Sequence, residues 1–153
     1  PAYNNRGNIN IDLGNNIDAI SDFTISIRLN PQNPIPYYNR AHAKYNLGLF
    51  YEAISDLNLV LSINPKDSDA LNDLCYSKFQ LGDYGRALKD CNKALSINPE
   101  DGNIHSSRGD VNFALGDKKS ACSDYKNAIA NGDKTTEKYL ASEEGAWCRN
   151  MPD

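Results

Sequence analysis

Ala53, Ile54, Leu57, Val60 and Leu61 fall at i, i+1, i+4, i+7 and i+8, the spacing that gathers apolar side chains on one face of a helix. That periodicity predicts a helix over 51–63, and the segment before it reads as another over 35–47. Gly48 ends the first, where a left-handed residue is needed and a side chain would clash. Pro65 ends the second, because proline cannot extend a helix and disfavours helical geometry in the residue before it. Pro34 and Pro36 sit in the opening turn, where a missing N–H costs nothing. The pattern is a helical hairpin.

The hairpin recurs. Asn-Pro stands at Asn30-Pro31, Asn64-Pro65 and Asn98-Pro99, a step of 34 residues each time. Gly14, Gly48, Gly82 and Gly116 keep the same step, as do Ala19, Ala53, Ala87 and Ala121, and Asp22, Asp56, Asp90 and Asp124. Small residues recur at Gly7, Ala41, Cys75 and Gly109, so the first helix of each unit can approach the second closely. Independent series sharing one period mark an internal repeat.

These residues resemble the tetratricopeptide repeat family. Its helix–turn–helix pattern is matched by Tyr37, Ala41, Gly48, Phe50, Ala53, Val60 and Pro65, and again by Leu71, Cys75, Gly82, Tyr84, Ala87, Ala94 and Pro99. Tyr3, Gly7, Gly14, Ala19, Phe23 and Pro31 match before them; Gly109, Gly116, Ala121, Tyr125 and Ala128 match after. The resemblance implies an all-α, right-handed superhelix, an α-α solenoid of four helical hairpins plus a C-terminal capping helix. Its units would be 1–33 (short by about one residue at its start), 34–67, 68–101 and 102–133, with 134–153 as cap and tail. The fourth unit departs by ending Asn131-Gly132-Asp133, as expected where an array stops. A short capping helix is predicted over about 136–144, with Tyr139, Leu140, Ala146 and Trp147 turned inward. The ending Glu-Gly-Ala-Trp-Cys-Arg-Asn-Met is similar to the tails of some cyanobacterial repeat proteins.

Composition narrows the function. The 153 residues are 40% hydrophobic, with 16 basic against 20 acidic side chains, a net charge of -4 and a pI near 5.1. That balance argues against nucleic acid, whose phosphates need clustered Lys and Arg. No apolar run approaches the roughly 18 residues of a membrane span. Only His42 and His105 are present, no GxxxxGK[ST] or GxSxG occurs, and the cysteines form no CxxC pair. No catalytic group, metal or cofactor is expected. Cys75, Cys91, Cys122 and Cys148 are expected as free, mostly buried thiols, since a chain this long with helical patterning needs no staples. The cytoplasm is the favoured compartment. The chain begins Pro-Ala-Tyr without Met and reads as a fragment or processed form, which leaves a removed leader open.

Arg6, Arg40 and Arg108 stand where the family often has a large apolar residue, and an aspartate follows each by sixteen positions. Each arginine is predicted to lay its stem along the hairpin and fork onto Asp22, Asp56 or Asp124, as an exposed pair that sets register. The third unit has Leu74 there, leaving Asp90 to water or a neighbour.

The resemblance also implies a concave groove lined by the first helix of each hairpin. The candidate peptide-binding residues are Asn5, Asn8, Tyr38, Asn39, His42, Tyr45, Asp69, Asn72, Asp73, Tyr76, Phe79, Asp110 and Phe113, and Pro1, Asn4, Ile11 and Asp12 share the inward positions of the first unit. Such a groove is rich in amides and aromatics and carries aspartate without Lys or Arg. Amides can pair with the main chain of an extended segment, and flat rings suit apolar or cationic side chains. Family members that hold the Glu-Glu-Val-Asp tail of heat-shock chaperones use a clamp of Lys, Asn, Asn, Lys and Arg. The matching positions here are Asn4, Asn8, Asn39, Asp69 and Asp73, so that ligand is disfavoured. The expectation is a non-enzymatic scaffold for a neutral or basic peptide segment of a protein partner. Self-assembly into a homo-oligomer through an edge formed by Tyr3, Ile9 and Ile11 is the alternative.

Overall fold

The computed structural model describes residues 2–151, so Pro1, Pro152 and Asp153 lie outside the description. Four antiparallel helix pairs follow in chain order: α1 (Ala2–Asp12) with α2 (Asn16–Leu29), α3 (Pro34–Asn46) with α4 (Phe50–Ile63), α5 (Ser68–Gln80) with α6 (Tyr84–Ile97), and α7 (Gly102–Ala114) with α8 (Lys118–Ala130). Two short helices close the chain, α9 (Lys134–Ala141) and α10 (Ala146–Arg149). Every described regular element is helical. The fold is the right-handed α-α solenoid expected from the repeat.

Local chemistry sets the boundaries. Asn33, Asp67, Asp101 and Asp133 each accept a backbone N–H from the first turn of the helix they precede. A cap of this kind stabilises a helix by about 1 kcal/mol. Gly48 turns the chain with φ +74°, backbone that few residues other than glycine adopt. The tail differs from its expected span. Asp133 caps α9, which starts two residues before 136 and ends at Ala141 rather than near 144. Gly132, also at positive φ, gives this last turn the geometry found between paired helices, not that of the Asn-Pro joints between units.

One contact inside each hairpin is built in three ways. Gly7 leaves room for the Phe23 ring and Gly109 for the Tyr125 ring; a Cβ at either position would lie 2.6 Å from that ring. In the second hairpin the corresponding pair is Ala41 and Leu57, both buried. In the third it is Cys75 and Cys91, which form a disulfide with Cα atoms 5.4 Å apart. A second disulfide, Cys122–Cys148, ties α8 to α10. The free thiols expected from the sequence are therefore corrected: the spacings of 16 and 26 residues place facing helices, not random partners, around each sulfur. Closing loops of that length stabilises a fold by on the order of 3 kcal/mol in the chain-entropy account.

The arginines do fork onto their aspartates. Arg40 reaches Asp56 through Nε at 2.8 Å and Nη2 at 2.7 Å, and Arg108 reaches Asp124 through Nη2 at 2.6 Å. Arg6 holds Asp22 in the same way. The exposed character expected of these pairs is corrected, because Asp22, Asp56 and Asp124 are at most 3% exposed. Arg40 and Arg108 also donate to the preceding second helix, at Thr24 and Asn92, so they couple neighbouring units. A second donor one turn along completes each site: Asn10, Lys44 and Asn112 join the arginines, and Lys78 takes Asp90 at 2.5 Å where Leu74 replaces arginine.

Candidate functional site

The first helices of successive hairpins touch each other, α1 with α3 and α5 with α7, whereas no two of the second helices meet to a comparable extent among the described residues. That asymmetry puts α1, α3, α5 and α7 on the inner, tighter side of the stack. Side chains reach across this wall. Asn39 donates to Asn8 Oδ1 at 2.9 Å and to Asn4 Oδ1 at 3.3 Å. His42 Nε2 lies 3.0 Å from Asp73 Oδ2. Tyr45 and Tyr76, on α3 and α5, bring their rings to 5.9 Å. Stacking then continues from Tyr76 to Phe79 at 5.5 Å and on to Tyr84 of α6.

Between α3 and α5 lies a cavity of about 190 Å³, lined by Ala41, His42, Tyr45, Asn46, Leu57, Asp73, Tyr76 and Ser77. Its lining is mainly apolar, with Asp73 and His42 the groups on it able to carry charge near neutral pH. A broader, more polar cleft of about 330 Å³ follows toward α7 and the cap, and Asn72, Asp73, Tyr76 and Asp110 line it together with Asp133 and Thr135. Tyr76 and Asp73 separate the two depressions and belong to both.

Electrostatics along this wall follow from burial and like charge. Burial, with Asp133 nearby, pushes the Asp110 carboxyl above its usual range, although the hydroxyl of Tyr125, donating at 2.8 Å, pulls the other way. Asp69, though exposed overall, is raised by partial loss of water around its carboxyl and by the carboxylates of Asp67, Asp101 and Asp73. Burial lifts Tyr45 to about 12. His42 is raised chiefly by its hydrogen bond to Asp73, against the effect of burial, so the carboxylate favours the protonated form of this imidazole.

The sequence-predicted residues divide into groups. Tyr45, Asp73 and Tyr76 surround one cavity, and His42 joins them at its edge. Asn72 faces the second cleft, and its Oδ1 is buried without a hydrogen-bond partner among the described residues. Asn39 and Asn8 engage each other, which commits the Asn39 amide protons. Phe79 packs within the aromatic row, and Tyr38 lies beside His42 at 5.1 Å. Asn5 and Asp69 are exposed. Phe113 turns to the cap, where it meets Trp147 at 5.1 Å. Pro1 lies outside the described residues. Ser77, Ala41 and Leu57 escaped the sequence reading because the floor of the cavity comes from positions that build the hairpin. Asp133 and Thr135 escaped it because the cap's contribution starts two residues ahead of the period. Among the described residues no three His, Cys, Asp or Glu side chains gather as metal ligands, and no helix is long and apolar enough to cross a membrane.

Family profiles described as tetratricopeptide repeat match residues 68–101 in one form, and 1–33 and 36–67 in another. Among solved structures, the chain is similar to the first tetratricopeptide repeat domain of Spaghetti (RPAP3) bound to the HSP90 peptide SRMEEVD, at 27% identity and a TM-score of 0.73, over 75% of this chain and 91% of that one. It is similar to TTC0263, a thermophilic repeat protein of Thermus thermophilus, at 24% identity and a TM-score of 0.81, over 94% and 82% of the two chains. MamA residues 41–end from Desulfovibrio magneticus RS-1 gives a TM-score of 0.80 at 15% identity, over 97% of this chain and 88% of that one. These last two likenesses speak to the fold alone. No curated protein was found to match the chain.

Proposed function

The chain belongs to the tetratricopeptide repeat family, and from that premise we propose that it is a non-enzymatic scaffold whose concave wall holds an extended peptide segment, neutral or basic, of a protein partner. One observation carries this reading: the cavity between α3 and α5 opens on a wall with aromatic side chains and carboxylates at its edge. A preformed wall lets a segment dock with little reorganisation, so more of the contact energy appears as affinity. The relative bound to SRMEEVD is an instructive contrast. Here the corresponding clamp positions are Asn4, Asn8, Asn39, Asp69 and Asp73, and aspartates repel a carboxylate-rich tail. A synthetic peptide array probed with the chain, and with the Asn39→Ala/Tyr76→Ala variant, tests the reading. Wild-type binding that the double variant loses supports it; equal binding by both refutes it.

A second reading rests on the first hairpin. Of the expected edge, Tyr3 and Ile9 are exposed but Ile11 packs partly against the core at Ala19 and Phe23. Leu13, Ile17 and Leu29 are further large apolar side chains left exposed on this hairpin, material for contact with a second copy. Light scattering after size exclusion separates the two readings, because a strict monomer removes the assembly role. The two disulfides favour an oxidising compartment over the cytoplasm favoured from the sequence. Alkylation in denaturant without reductant, read by mass, should then label no cysteine of the natively produced chain. Labelling of all of them returns the protein to a reducing compartment.

A further inference from the structure

We propose that the cavity between α3 and α5 is a subsite for one long cationic side chain, lysine or arginine, of the bound segment. The inference rests on the groove reading above and adds the chemistry of the residue that enters. Three features converge. The floor is apolar and buried, formed by Ala41 and Leu57 with Ser77 beside them. Tyr45 and Tyr76, both half-buried, stand as walls with ring centroids 5.9 Å apart. Asp73 sits at the edge shared with the second cleft, where Asp110 adds another carboxylate.

A lysine or arginine satisfies all three at once. Its methylene stem covers the floor, its head stays at the rim, and a cation beside tyrosine faces gains from their quadrupoles. An aliphatic side chain would fill the floor but gain nothing from Asp73 at its rim. An acidic one would meet like charge. His42 lies 3.0 Å from one Asp73 oxygen and the Tyr38 hydroxyl also engages this carboxylate, whose several lone pairs still accept a further hydrogen bond from a ligand head.

The experiment is a synthetic array of random dodecapeptides, probed with the intact chain, followed by solution titration of the best binders. Enrichment of Lys or Arg at one aligned position is expected. Replacing that residue by norleucine should weaken binding about tenfold, roughly 1.4 kcal/mol. Asp73→Asn should cost the cationic peptide a similar factor and leave the norleucine peptide unchanged, with Asp73→Glu recovering most of the loss. Circular dichroism of the variants checks that the helices persist. Peptides that bind through the wall, as judged by their loss in Asn39→Ala/Tyr76→Ala, yet tolerate norleucine overturn the subsite and leave the groove reading standing. Absence of any bound peptide, or binding untouched by the double variant, overturns both.

Discussion

Arg6 in the first hairpin and Arg108 in the fourth occupy the same repeat position and grip the same kind of aspartate, yet the Arg6 side chain is 64% exposed and that of Arg108 is 26% exposed. Both aspartates are buried, but Asp22 is held by Arg6 and Asn10, whereas Asp124 has Arg108, Asn112 and His105 around it and Arg108 also reaches Asn92 of the preceding hairpin. The rest of the two hairpins diverges likewise. Apolar side chains of the first remain open, while the fourth is covered by α9 and α10 through Cys122–Cys148, Trp147 and Tyr139. The same local code therefore has different energetic weight at the two ends, because the neighbouring layer decides how much water each pair loses.

The largest test of that contrast removes the arginines. Arg108→Met should cost about 4 kcal/mol in urea unfolding, since a buried carboxylate keeps no firmly paired cation. Arg6→Met should cost less, because the Arg6 side chain is 64% exposed and its removal opens Asp22 to water instead of leaving it sealed in the stack. Equal losses would break the comparison. Opening the capped end comes next: Cys122→Ala/Cys148→Ala should lower stability by about 3 kcal/mol and expose Tyr125 and Trp147, seen as a red shift in tryptophan fluorescence. Little change in either reading would mean that side-chain packing alone holds the tail.

A smaller effect compares the two glycines. Gly109→Ala pushes against a Tyr125 ring fixed by Asp110, Tyr139 and Trp147, so overpacking should outweigh the gain in helix propensity by about 1 kcal/mol. Gly7→Ala meets Phe23 beside the open end and should cost less, by thermal unfolding of both variants.

The smallest effect concerns pH, and its sign differs between the ends. Asp22 is held below the usual carboxylate range, chiefly by the hydrogen bond from Arg6. Its contribution to stability is present above the unfolded carboxylate pKa and disappears as pH falls through the depressed folded value. Asp110 is raised, so its contribution is complete below the unfolded pKa and is lost as pH rises through the folded one. Asp22→Asn should therefore flatten the acid loss of stability, and Asp110→Asn should flatten a loss that appears on raising pH out of the carboxylate range. Chemical unfolding at a series of pH values measures both slopes.

The fold was legible because a fixed step of 34 residues places glycine, alanine and proline where only helical hairpins can use them. The arginine–aspartate pairs were legible for the same reason, as both partners recur. Lys78 standing in for the missing arginine was not, because its role appears only when one turn of helix brings it over Asp90. The disulfides were hidden by their spacing. Cys75 and Cys91 read as an isolated small residue and an isolated buried one until Gly7–Phe23 and Gly109–Tyr125 reveal those positions as opposite sides of one contact. At the wall, residue types were readable but their commitments were not. Nothing in the sequence says that the amide of Asn39 is engaged by Asn4 and Asn8, or that Phe113 belongs to Trp147.

The covalent link between Cys75 and Cys91 has a mechanical consequence for the helix that carries Asp73 and Tyr76. α5 is riveted to α6 in the middle of its length, so it cannot tilt or slide on its own when something presses on the inner wall. A reductant that left the helices intact would convert a stiff jaw into a compliant one. Its first symptom would be faster release of whatever is held, well before any melting.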